Sequence, residues 1–203
     1  MKTIKDRILG LYRANVYRRV IIIWVAFQAV MWIVFAINYF YNPDAWMGAP
    51  ETGYMDRGSG GCFKTFLAIS GNNLILLLLI AGGNIFVRFG VFTPGLLILL
   101  VQGIVTGIVA GSNSFEFPFV DVHEANIQYL KVGLWETTAY ALACAVTLTK
   151  SLYIASTFPA RRWAETRKLK EIKFDTPETI VAVTSILLLI VAAFVEAILL
   201  SGS

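Results

Sequence analysis

Five stretches of this sequence are each long and apolar enough to cross a bilayer, and that limits the fold more than any motif does. A hydrocarbon core of about 30 Å takes about 20 apolar residues in a helix. The stretches are residues 20–40, 66–87, 91–112, 129–157 and 177–200. Water is absent at that depth, so each span must satisfy its own backbone hydrogen bonds and is read as a helix. Only 15% of the residues are charged and 57% are hydrophobic, which leaves too little polar sequence for a separate soluble domain. The expectation is a single integral membrane domain over residues 1–203. It is an all-α polytopic bundle of about five transmembrane helices.

The net charge of +4 is concentrated beside the spans. Lys2, Lys5, Arg7, Arg13, Arg18 and Arg19 precede the first span. Arg88 lies in the turn after the second, and Arg161, Arg162, Arg167, Lys168, Lys170 and Lys173 follow the fourth. Arg57, Lys64 and Lys131 fall on the opposite side. This asymmetry reads as topology and lipid contact rather than nucleic-acid binding. It predicts a cytoplasmic N-terminus and a C-terminus outside. Ile4, Ile8, Leu11 and Tyr12 recur at helical spacing among the first basic residues. They describe either a short amphipathic helix on the membrane surface or an extension of the first span. No small-residue cleavage site follows the first apolar run, so no signal peptide is expected.

Several helix ends are legible. Residues 88–95 read as a tight turn between spans two and three, with Pro94 in the first turn of the next helix. Asp175 or Thr176 caps span five, followed by Pro177 and Glu178. The segments 41–64 and 113–128 read as loops outside, the second carrying Glu116, Asp121 and Glu124.

Gly103, Gly107 and Gly111 form a flat strip on span three that lets another helix approach closely. The partner is another span of this chain or a second copy. Polar groups inside spans are costly unless paired. By depth, Asn72, Asn73, Glu136 and Glu196 fall together in the outer half, and Gln102 lies mid-span. They describe a small-solute or ion site, a switchable acidic pair, or a hydrogen-bond network that fixes helix register. Lys150, read as inside span four, either snorkels to the headgroups or joins a buried ion pair.

Catalytic machinery is not recognisable. The single histidine, His123, lies in a loop, so no haem or transition-metal centre within the spans is expected. Nor is a nucleophile–base–orienter set. Cys62 and Cys144 fall at different depths and are not expected to pair. These readings imply no cofactor.

Three stretches and the chain's ending resemble the stage II sporulation protein M family of integral membrane proteins. They are Asn73 followed by Gly82-Gly83, then Gln102-Gly103 with Gly107, then Gly133-Leu134-Trp135-Glu136. The ending is Ala192-Ala193-Phe194-Val195-Glu196-Ala197, and the resemblance covers about residues 66–200. This chain has Val132 where the family shows histidine, Gln102 where it shows asparagine, and Thr137 where leucine follows the glutamate. The family's sporulation member is implicated in recruiting cell-wall hydrolases during engulfment. Relatives in organisms that do not sporulate mean that this role does not transfer. The resemblance implies a scaffold more than an enzyme.

The expected function is therefore an accessory or scaffold subunit of a larger membrane assembly. Its partners would be membrane lipids and other integral membrane proteins, in a hetero-complex or a homo-oligomer. The alternative is a small transporter or channel that uses the outer polar cluster.

Overall fold

The computed structural model describes residues 4–46, 61–115, 118–155, 160 and 162–201. Residues 47–60 of the first expected loop, Glu116 of the second, Arg161, and the side chains of Ile4 and Ile8 lie outside the described residues.

Helix α1 (Ile4–Arg13) precedes α2 (Val16–Tyr41), whose start is capped by Asn15 Oδ1 accepting from the Arg18 amide at 2.9 Å. Helix α2 ends at Tyr41 because Asn42, the residue preceding Pro43, is pushed out of the helical region. Helix α3 (Cys62–Phe86) returns and runs into a short strand, β1 (Val87–Phe89). Gly90, at φ 56°, turns the chain, and Thr93 caps α4 (Pro94–Gly111) by accepting from the Leu96 amide at 3.2 Å. After a loop, α5 (Val122–Gln128) passes through a π turn (Tyr129–Gly133) into α6 (Leu134–Thr147). Strands β2 (Tyr153–Ala155) and β3 (Ala164–Glu165) follow, and then α7 (Thr176–Leu200). The last helix opens with a reciprocal capping box between Asp175 and Glu178.

The chain thus runs along the bundle five times, with the starts of α2 and α7 meeting at one end through Arg19 and Glu178 and the last turns of α7 lying near Glu136 at the other. One end carries the small sheet, in which β2 pairs parallel to β1 and antiparallel to β3. The other carries α5, where Trp46 Nε1 donates to the Gly111 carbonyl at 2.9 Å. Helices α2, α3, α4 and α7 are long and apolar enough to cross a membrane. The fifth pass is the broken helix through α5, the π turn and α6.

Helix α6 occupies the centre, with every residue from Ala139 to Thr147 buried. Its alanines at 139, 141, 143 and 145 keep it narrow, so α2, α3 and α7 pack around it. The outward faces are the more apolar ones: Ile21, Ile33, Leu78, Val101 and Leu187 are exposed. The interior holds alanine, glycine and polar groups beside a few large side chains, Phe27, Ile80, Leu99 and Leu148 among them. Exposed apolar surface on this scale requires hydrocarbon around it, which makes this an integral membrane protein.

The glycine strip packs within the chain. A Cβ at Gly107 or at Gly111 would sit 2.5 Å from the Met31 or the Phe35 carbonyl oxygen of α2, respectively. At Gly103 the nearest neighbour is the Phe27 ring, at 3.1 Å. A second close approach, between Gly83 and Gly95, brings α3 against the start of α4.

The fourth expected span is corrected. It was placed at 129–157, but the helix starts at Val122 and α6 ends at Thr147, so Lys150 lies beyond it in a buried bend. Leu148, Leu152, Tyr153, Ile154 and Ala155 continue the apolar run, yet they enter the bend and β2. Backbone bonds to neighbouring segments replace helical ones there: the Leu152 amide donates to the Ile85 carbonyl at 2.7 Å.

Candidate functional site at the α5 end of the bundle

Of the four polar residues expected to converge, Asn73 and Glu136 meet directly. Asn73 Nδ2 on α3 donates to Glu136 Oε1 on the first turn of α6. Glu196, near the end of α7, comes close enough to Glu136 for the two side chains to interact electrostatically. Asn72 does not join them. Successive helix residues are about 100° apart, so with Asn73 turned inward Asn72 points out of the bundle and is exposed. Depth put all four together, but rotation separates one.

Beside this pair runs a belt of hydroxyls, amides and rings. Tyr129 donates its hydroxyl to Gln28 Oε1 at 2.7 Å, and Gln28 Nε2 reaches Thr137 Oγ1 at 3.3 Å. Trp24 Nε1 donates to Thr138 Oγ1 at 2.9 Å. Ser185 donates to the Ala139 carbonyl at 2.7 Å. These bonds run from α2 and α7 to the broken helix and fix the register of both. The π turn has a local cause: a Cβ on Gly133 would lie 2.7 Å from the Tyr129 ring, so only glycine lets that ring fold back along its own helix. The ring then meets Trp32 edge-on, with centroids 5.5 Å apart. Single π turns inside α-helices are frequent at functional sites.

The π turn borders a cavity of about 180 Å³ between α2, α4 and the loop before α5. Trp32, Phe35, Phe115, Phe119 and Tyr129 supply aromatic wall, and Glu196 and Gln128 lie on its polar side.

Gln102, expected mid-span, reaches only Thr106 Oγ1 on its own helix, at 3.4 Å. His123 is exposed on α5, and both cysteines are free. Among the described residues, no three His, Cys, Asp or Glu side chains are grouped to hold a metal ion.

Two polar constellations at the sheet end were not foreseen as units. Asn84 is fully buried, and its Nδ2 donates to Thr147 Oγ1 at 2.9 Å and the Cys144 carbonyl at 3.1 Å. Its Oδ1 accepts from Thr93 at 2.5 Å, so one amide ties α3, α4 and α6 together. The second is a buried charge cluster. Glu178 accepts from Arg19 Nη2 at 2.9 Å and from Lys150 Nζ at 2.5 Å. Arg19 Nη1 also donates to Thr149 at 2.7 Å, and Lys150 to the Lys173 carbonyl at 2.9 Å. Of the two readings of Lys150, the buried ion pair is the one observed. Placing Arg19, Lys150 and Glu178 at one end by alternating topology was the available signal. The sequence reads Arg19 as topology and Glu178 as part of a helix start, so neither is offered as the partner of Lys150.

Comparisons with protein-family models, with curated proteins and with solved structures return no match to this chain.

Proposed function

We propose that this membrane protein is a non-catalytic accessory or scaffold subunit of a larger membrane assembly, and that it docks through the exposed face of α3. The observation that carries this reading is Asn72. It lies roughly 15 Å from the Cys62 end of a helix about 37 Å long, within the apolar span. It is exposed there, and its amide has no hydrogen-bond partner among the described residues. An unpaired amide facing hydrocarbon is unfavourable, and a polar contact with another helix is worth about 1–2 kcal/mol. Ala68 and Gly71, exposed beside it, let a helix backbone come close. Helix α3 is also the least covered span, with only 11% of its apolar window buried. The occupant we assign is a transmembrane helix of another integral membrane protein that presents a polar side chain at that depth.

The bonds from Asn73 to Glu136, from Tyr129 to Gln28 and from Asn84 to Thr147 and Thr93 support a structural role, because each joins separate elements of the bundle. The resemblance to the stage II sporulation protein M family points the same way: its Asn73 and Glu136 form the bond between α3 and α6.

The test is isolation from native membranes in mild detergent, with wild type beside Asn72→Leu. A stoichiometric membrane-protein partner that is lost in the variant is expected. Recovery of the wild type as a lone monomer, or as copies of itself alone, refutes the reading.

For orientation, we propose that the sheet end faces the cytoplasm, because Arg13, Arg18, Arg88, Arg167, Lys168 and Lys170 gather there. A membrane-impermeant thiol reagent should then label Cys62 only from the outer side of sealed cells.

The second reading, a small transporter or channel, is favoured by one observation: the cavity reaches Glu196, whose neighbour is Glu136. Solute flux in liposomes that falls in both Glu136→Gln and Glu196→Gln would favour it. Absence of flux removes it.

A further inference from the structure

We propose that Arg88 is the centre of a binding site for the phosphate of an anionic phospholipid, at the membrane surface where α1 meets the turn between α3 and α4. The depth of the site follows from the chain. The apolar helix α3 ends at Phe86 and the apolar helix α4 starts at Pro94. Residues 87–93 therefore pass from one span to the next at the level of the lipid headgroups.

Arg88 is fixed in that turn and left without a counter-charge. It pairs with Ile154 in the ladder between β1 and β2, so its side chain takes the sheet face opposite to Val87 and Phe89. Its guanidinium carbon lies 4.5 Å from the centroid of the Tyr12 ring. That ring is itself held, because the Tyr12 hydroxyl donates to the Val91 carbonyl at 3.0 Å. Arg88 Nε is buried and bonds nothing. Nη1 and Nη2 also have no hydrogen-bond or ion-pair partner among the described residues, but unlike Nε they remain open to the surroundings. A half-buried cation without an anion is unfavourable, and the open donors here are the outer pair of the guanidinium fork. Two parallel N–H groups match two oxygens of one phosphate, and such charge-assisted bonds are about twice as strong as neutral ones. Stacking on Tyr12 orients the fork beforehand, so little freedom is lost when it binds.

The neighbours point to a lipid as the source of the phosphate. Phe86 and Phe92, on either side of Arg88 in the chain, are exposed and suit acyl chains that hang from the headgroup. A free phosphate has no use for them. Arg13, next to Tyr12, and Arg18, at the start of α2, are exposed as well, and neither has an ion-pair partner among the described residues. They favour a headgroup of net negative charge over a zwitterionic one, whose cationic end they repel.

The test titrates the full chain in mild detergent with phosphatidylglycerol, phosphatidylcholine or inorganic phosphate. Binding is read from the rise in Tm as each is added. Phosphatidylglycerol should raise Tm saturably, with a midpoint about tenfold below that of phosphatidylcholine, and inorganic phosphate should not raise it. Arg88→Gln should weaken phosphatidylglycerol binding about tenfold and remove the preference between the two lipids. Lys170→Gln removes an exposed cation from the segment before α7 and should leave both unchanged. Arg88→Lys keeps the charge but not the fork and should fall between wild type and Arg88→Gln; it also takes the place of Arg88→Gln if that variant does not fold. Equal midpoints for the two lipids in wild type overturn the proposal. So do Arg88 variants that bind phosphatidylglycerol as wild type does, an equal loss in Lys170→Gln, or a rise with inorganic phosphate that matches the lipid. None of these outcomes depends on whether α3 docks a partner.

Discussion

Removing the charge of Glu178 is the sharpest available perturbation of this fold. The carboxylate is 6% exposed, and its two partners, Arg19 and Lys150, are 4% and 8% exposed. The cluster joins the start of α2, the bend after α6 and the first turn of α7. It holds two cations for one anion. Glu178→Gln preserves the shape but leaves both cations facing a neutral amide, whose oxygen replaces only one of the two carboxylate oxygens that they bond, while its NH2 faces the other cation. Each charge-assisted bond to Glu178 contributes about 1.5–3 kcal/mol, and breaking a buried pair costs about 3–5 kcal/mol. The variant also weakens the capping box and removes a negative charge from the positive end of α7. A loss of about 3–4 kcal/mol follows, and in a chain of this size each kcal/mol moves Tm by about 2–4 °C. The expected shift is therefore roughly 10 °C downward, read by thermal melting in detergent. Lys150→Met gives an internal control, because it leaves Arg19 and Glu178 as a balanced pair and should cost distinctly less. Replacing all three residues with methionine should recover much of the loss, since an apolar substitute leaves no buried charge unpaired. A Glu178→Gln melt within 2 °C of wild type, or a Lys150→Met variant that is the less stable of the two, would refute the reasoning.

Three further outcomes are expected. Along the glycine strip, Gly107→Ala and Gly111→Ala should lower thermal stability more than Gly103→Ala. Their new methyl groups meet α2 carbonyl oxygens, whereas Gly103 faces a Phe27 ring that can shift; melts of the three variants give the order. Asn73→Leu should destabilise by about 1–3 kcal/mol, because Glu136 loses its donor inside the bundle; a chemical-denaturation series beside Glu136→Leu/Asn73→Leu, which removes both groups, should show the double variant as the milder change. Tyr12 donates to the Val91 carbonyl at 3.0 Å beneath Arg88, and burial pushes its phenol from 10.0 to about 12. Its contribution to stability is therefore complete below pH 10 and falls as pH rises toward 12, because the unfolded chain gives up that proton first. Tyr12→Phe should flatten the stability profile between those values.

How far the site was legible follows from the same residues. Glu136 and Asn73 were placed at one depth by counting along apolar spans, and they bond. Asn72 was placed with them by the same count and faces outward. Depth is a property of position along a helix, and rotation is not. Helix α3 is apolar around its whole circumference, so no sequence periodicity says which side is inward. The small sheet was illegible for a related reason: its strands are two or three residues long, too short to show a period of two.

What the chain determines by itself is the local and one-dimensional part. Long apolar runs require helices in lipid, and Thr93-Pro94 and Asp175 with Glu178 start helices because they satisfy orphan amides within one turn. Basic residues cluster at alternate ends for the same linear reason. Tertiary structure decided what depends on distance in space. It packed the glycine strip against α2, stopped α6 at Thr147 in favour of bonds to β1 and α3, and buried Lys150 beside Glu178 and Arg19. Those outcomes rest on which surfaces meet, and charges or glycines far apart in sequence carry no mark of one another until helices pack.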